Sequence, residues 1–130
     1  MITSRMFATG AVLLCTLLLS SCSVTKKMQE QLKALPFPAV DMADVKDGTY
    51  TGTAETMLVQ ADVSVEVADG HIRQIKILRH VNGKGKKAET IVNTMKDQNT
   101  WDVDCVSGAT ASSLVLKSAA AQALAKGESK

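Results

Sequence analysis

An α+β fold is predicted for this chain: a small antiparallel sheet with two or more helices packed against it, in a single domain. Three observations predict it. Residues Asp62 to Ala68 alternate, with Val63, Val65 and Val67 on one face and Asp62, Ser64 and Glu66 on the other, the pattern of a strand buried on one side. Ala68-Asp69-Gly70 follows, a short-range hairpin signal. Beyond residue 87 the period lengthens: Ala88, Ile91, Val92 and Met95 stand at i, i+3, i+4 and i+7, one apolar stripe of a helix. The length agrees, since 130 residues accommodate one small domain and exclude an enzyme with separate cofactor and substrate lobes.

The first segment reads as an address. Met1 to Ser21 carries one positive charge, Arg5, and then an uncharged run from Met6 to Leu19. The run is shorter than the ~20 apolar residues a spanning helix needs and has the layout of a secretory signal. Its end, Leu19-Ser20-Ser21-Cys22, resembles the lipobox of bacterial lipoproteins. The resemblance implies cleavage before Cys22 and diacylglycerol on its sulfur. Residues 1–21 are then a lipoprotein signal peptide, residues 22–46 a lipid anchor and tether, and the mature protein is extracytoplasmic and lipid-anchored to a bacterial membrane. Cys15 leaves with the signal and Cys22 carries lipid, so Cys105 has no intrachain disulfide partner; it reads as a small buried hydrophobe. In the tether Met28, Leu32 and Leu35 have helical spacing, but Lys26, Lys27 and Lys33, followed by Pro36 and Pro38, favour a solvated stretch that ends before the domain.

The domain is expected over residues 47–127. Asp47-Gly48 opens a Thr- and Tyr-rich strand over 49–58. The strand after the Asp69-Gly70 turn carries Ile75 and Ile77, with Ile72 out of phase, which suggests a bulge or a residue packing on the second face. Asn82 to Lys87 is a flexible basic loop, and Asp97 to Trp101 ends the helix that follows it. A second helix is expected over Ala111 to Ala125, with Leu116, Ala119, Ala120 and Ala123 as its stripe and Leu124 beside it. Lys and Arg number 15 against 13 Asp and Glu, and aromatics are 3%, so neither a basic footprint nor stacking platforms point to nucleic acid. His71 and His80 are isolated in sequence and give no metal-ligand spacing.

Between the helices lies Asp104-Cys105-Val106-Ser107-Gly108-Ala109-Thr110-Ala111-Ser112-Ser113. Hydroxyl residues and a glycine crowd a helix start, with no bulky side chain from Ser107 onward. Helix starts offer unpaired N–H groups and partial positive charge, and small residues let an anion approach them, so the segment suits phosphate. A purely structural reading makes Ser107 or Thr110 the N-cap.

Asp104-x-x-Ser107-Gly108-Ala109-Thr110 resembles the flavinylation motif of FMN-binding domains, found in the flavin-bearing subunits of the sodium-pumping NADH:quinone reductase and the Rnf complex and in stand-alone extracytoplasmic flavoproteins. Asp47-Gly48-Thr49-Tyr50-x-Gly52-Thr53-Ala54, the Val-rich strand with Asp69-Gly70-x-Ile72, the Gly83-x-Gly85 loop and the tail after Ser112-Ser113 extend the similarity over roughly 47–125. The loop from Val81 to Gly85 lacks the Glu-Thr-Pro-Gly that the larger subunits often carry there.

The resemblance implies that a flavin transferase, using FAD and a divalent metal, joins FMN to the Thr110 hydroxyl by a phosphoester. Ser107, Gly108 and Ala109 would admit the threonine to that enzyme's cleft. Asp104 would be recognised by it or would hold the loop by hydrogen bonds, and Ala111 and Ser112 complete the cofactor-binding set. Lys84, Lys86 and Lys87 read as solvated, the alternative being a place near the flavin phosphate or the reduced ring. Trp101 reads as a packing residue, the alternative being stacking on the ring. No local base is positioned by spacing to activate a threonine, which agrees with an external enzyme. The expected function is a membrane-tethered electron carrier, rather than a self-contained enzyme, passing electrons between redox partners. Its rivals are a lipoprotein holding an anionic ligand noncovalently and a structural surface lipoprotein without cofactor.

Overall fold

The structure is a computed structural model that describes residues 23–81 and 85–129. The expected signal peptide, Cys22 and the loop residues Asn82, Gly83 and Lys84 lie outside the described residues. Among the described residues, three strands form an antiparallel sheet in the order β1-β2-β3: β1 Gly48–Glu55, β2 Gln60–Ala68 and β3 His71–Val81. Residues 23–33 are helical and are called α1. Two short 3-10 turns, η1 Met42–Asp44 and η2 Lys86–Thr90, precede β1 and α2 respectively; α2 is Ile91–Gln98 and α3 is Thr110–Gly127. The α+β expectation is met. Among the described residues no helix is long and apolar enough to cross a membrane.

The β2–β3 turn forms where expected, with Asp69 and Gly70 at φ 53° and 72°, the double left-handed geometry of a two-residue hairpin turn. The bulge implied by Ile72 is present, and a second accompanies it. Glu66 faces Gln74 while Val67 faces Ile72, and Asp62 faces Arg79 while Val63 faces Ile77, so Arg73 and Leu78 are the extra residues. Each insertion resets the phase of β3. Ile72, Ile75, Ile77 and His80 thereby share the inner face with Val63, Val65 and Val67. The outer face is polar and includes the Arg79–Asp62 ion pair at 3.0 Å.

Strand β1 ends at Glu55, three residues earlier than its composition predicts. Thr56 closes a turn: its N–H donates to Val59 O at 2.7 Å, and its Oγ1 accepts from Val59 N–H at 3.2 Å. Met57 and Leu58 are pushed outward, Leu58 58% exposed.

Helix α3 lies across β1 and β2, and α2 against β3. The expected α3 stripe, with Leu124, is fully buried, and Val115 and Ala121 are buried too. The helix is thus covered on most sides, as a helix apolar nearly all round must be. Its closeness to the sheet depends on Gly52, where a Cβ would run into the Ala119 carbonyl and stand 2.8 Å from Ala123 N. Gln122 Nε2 donates to Thr53 O at 2.9 Å and Lys126 Nζ to Thr51 O, so α3 side chains satisfy the open edge of β1. Helix α2 ends on Asn99 at φ 55°. The Asn99 side chain accepts from Ile72 N–H at 2.8 Å and donates to Gly70 O at 2.9 Å, fastening the helix end to the hairpin.

Residues 28–46, expected to be part of a solvated tether, pack on the domain instead. Leu35 and Val45 are buried in the core, and Met28, Leu32, Phe37, Val40 and Met42 pack against it. Ser118 Oγ donates to Pro36 O at 2.6 Å, Lys46 N–H to Gly127 O at 2.9 Å, and Val45 bridges Glu128. Removing that apolar series from water outweighs the lysines, which stay exposed on the outer side of α1.

Candidate functional site

The segment between α2 and α3 is shaped by its backbone. Ala109 N–H donates to Val106 O at 3.0 Å, closing a turn around Ser107 and Gly108, and Gly108 takes φ 76°, a left-handed conformation that favours glycine. Buried Ser113 fixes this turn to the helix: its Oγ donates to Ala109 O at 2.7 Å and accepts from Val106 N–H at 2.9 Å. The loop-holding role offered to Asp104 thus falls to Ser113. Asp104 is exposed and makes no hydrogen bond or ion pair among the described residues.

Neither Ser107 nor Thr110 caps the helix. The cap position is Ala109, without a side-chain hydrogen bond, and Thr110 is the first helical residue. Its side chain is exposed, as is that of Ser107, while Ala109 and Ser112 are buried and Ala111 is half-buried. The first main-chain bond of the helix runs from Ser113 N–H to Ala109 O at 2.9 Å. The N–H groups of Thr110, Ala111 and Ser112 have no acceptor among the described residues. An 18-residue helix therefore presents three unpaired donors beside an exposed hydroxyl, which suits a phosphate oxygen.

An apolar cleft of about 440 Å³ adjoins this start. Gly108, Ala109, Ala111 and Ser112 form one wall, Met28 of α1 and Leu58 and Val59 of the β1–β2 turn the other, with Gly85 at the head of η2. Thr110 stands between two of the lining residues. A cleft of similar size on the other flank of α1 is lined by Gln31, Glu55, Gln122 and five neighbours. It is more polar and contains no helix start.

Of the residues the sequence reading groups here, Gly108, Ala109, Ala111 and Ser112 line the cleft and Ser107 and Thr110 flank them; the reading misses the opposite wall and Ser113's part in holding the turn. The signal for Ser113 was its place in Ser112-Ser113. Met28, Leu58 and Val59 had no signal beyond being apolar, since only the fold brings them to the motif. Trp101 stacks on Phe37, with centroids 5.5 Å apart and planes at 24°, and Lys117 Nζ lies 5.8 Å from its ring. Trp101 packs and does not line the cleft. Cys105 is a half-buried free thiol.

An uncapped helix start beside an apolar cleft is the arrangement of a small domain that binds a ligand with an anionic end and an apolar body. The family model of the FMN-binding domain matches residues 59–125, just over half of the chain and all of the motif. The chain belongs to the FMN-binding domain family; it is a flavin-binding protein, and FMN is its cofactor. No curated protein matches the chain. The residues present fit the group: unpaired amides at α3 suit the phosphate, and an apolar cleft of about 440 Å³ lies beside them.

Proposed function

We propose that the chain is a membrane-tethered, extracytoplasmic electron carrier with FMN joined covalently to Thr110. The observation that carries this reading is the Thr110 side chain, exposed on the first residue of a helix with no side-chain cap, between two residues that line the apolar cleft. Attachment by a flavin transferase forms a bond from Thr110 Oγ1 to the flavin-side phosphorus of FAD. The pyrophosphate bond breaks, AMP leaves, and the hydroxyl proton passes to the transferase or to water. A divalent metal in that enzyme assists the step.

Thr110 holds the cofactor, the α3 amides of Ala111 and Ser112 receive the remaining phosphate charge, and Met28, Leu58 and Val59 shield the ring from water. Ser107, Gly108 and Ala109 leave room for the transferase, and exposed Asp104 is available for its recognition. Bound FMN supplies one- and two-electron transfer. The protein places it where a covalent link prevents loss. Lipid on Cys22 would hold the domain at the membrane, so that its redox partners are reached by lateral diffusion.

The test is the intact mass of membrane-extracted protein from cells that contain the transferase, for the natural chain and for Thr110→Ala. The natural chain should carry both diacylglycerol and one FMN. The variant should keep the lipid, keep the fold and lose the flavin. An adduct that survives the substitution would reject Thr110 as the attachment site. A natural chain with noncovalent FMN alone would reject the covalent reading.

A further inference from the structure

Of the two described lysines of its loop, Lys86 and Lys87, the second lies beside the attachment turn. A Cβ placed on Gly108 would lie 2.6 Å from Lys87 Nζ and 3.3 Å from its Cε, so the ammonium rests against the middle of the attachment turn. Its backbone is well fixed. The neighbouring Ala88 is fully buried, Ala88 N–H donates to Gly85 O at 2.9 Å, and Thr90 Oγ1 donates to Lys87 O at 2.9 Å. The ion pairs among the described residues pass Lys87 by. Glu89, the acid nearest in sequence, is engaged with His80 Nδ1 at 3.1 Å. An exposed ammonium therefore lies beside the turn with no ion pair among the described residues. Thr110 is two residues beyond Gly108, within about 7 Å along the chain.

We propose that Lys87 is the positioning cation of the flavin site, pairing with the phosphodiester on Thr110. This rests on the covalent reading above. The phosphodiester keeps one negative charge. The unpaired amides of α3 meet it from the helix side and the Lys87 ammonium from the η2 side. Gly108 gains a second reason to be glycine: a side chain there would displace the lysine as well as strain the backbone. Lys86, one residue earlier and exposed like Lys87, is not among the atoms near Gly108 and carries the same charge, so it controls for net charge alone.

The experiment follows flavin attachment to the full mature chain by intact mass, with the transferase, FAD and magnesium, for the natural protein, Lys87→Gln, Lys87→Arg and Lys86→Gln. At low salt Lys87→Gln should be labelled roughly tenfold more slowly, the scale of one charge-assisted hydrogen bond. The gap should shrink near 1 M salt, where screening reaches within about 3 Å. Lys87→Arg should stay within about twofold of the natural chain because the charge is kept. In the fully labelled proteins the phosphorus resonance should move for Lys87→Gln and not for Lys86→Gln. Equal rates and an unmoved resonance in Lys87→Gln, with the natural chain labelled, would overturn the role of Lys87 and leave the covalent reading standing. Equal slowing by both glutamine variants would overturn it also, as an effect of net charge. A natural chain that takes no flavin would overturn both.

Discussion

Ser113 shapes the candidate site without touching the cleft. One hydroxyl, fully buried, donates to Ala109 O and accepts from Val106 N–H, so both ends of the Ser107–Gly108 turn hang on it. Ser113→Ala would leave that donor without a partner and deprive Ala109 O of one of its two. A buried group left unpaired costs about 1–3 kcal/mol. Chemical denaturation should show a loss of about 2 kcal/mol, and flavin attachment should slow because the turn no longer holds Thr110 at the helix start. Unchanged stability would mean that water replaces the hydroxyl and that the turn is held by its own Val106–Ala109 bond. The Thr110 side chain is exposed and makes no hydrogen bond among the described residues, so on the proposed reading its replacement should cost the flavin and not the fold. On the proposed reading the two positions separate: Ser113 builds the turn and Thr110 carries the flavin.

The elements show why some of this was legible in sequence. Strand β2 is buried on one side only, so its period of two survives in the residues, and the Asp69-Gly70 turn has few alternatives. The position of α3 was legible within two residues at each end, because a long run of small apolar residues has little else to form. The second bulge at Leu78 and the early end of β1 were not, since each depends on what lies across the sheet. The cleft was half legible: the motif is contiguous, but its facing wall comes from α1 and the β1–β2 turn, more than forty residues away in sequence. Gly52 belongs to the same lesson. In sequence it is one glycine among threonines, yet it is where the α3 backbone meets β1. Gly52→Ala should cost about 1–3 kcal/mol by overpacking, and more if α3 cannot slide. Because α3 begins at Thr110, thermal melting and flavin attachment should fall together; a variant as stable as the natural chain would show that the helix and strand are not in fixed contact.

In the whole molecule, the segment read as a tether is a structural part of the domain. It supplies Met28 to the cleft, Leu35 and Val45 to the core, and a bridge to the end of α3. With lipid on Cys22, as proposed, there is little free chain between anchor and domain. A helix rises about 1.5 Å per residue, so Met28 lies only about 7–8 Å along α1 from Ser23. The flavin site would then ride close to the membrane surface rather than on a long leash, which narrows its partners to those within or beside the bilayer. The same packing makes a prediction about the domain boundary. A chain beginning at Asp47, where turn signals alone would start it, loses the burial of Leu35 and Val45, about 1.5–3 kcal/mol for each side chain. It also leaves Ser118 without its acceptor at Pro36. Since a domain of this size is stable by only about 5–15 kcal/mol, and each kcal/mol moves its midpoint by about 4–8 °C, thermal melting followed by circular dichroism should show a fall of at least about 12 °C or no cooperative transition. If the shortened chain melted within about 3 °C of the mature one, residues 23–46 would be resting on the domain without stabilising it, and the distance between lipid and flavin would again be set by a loose segment.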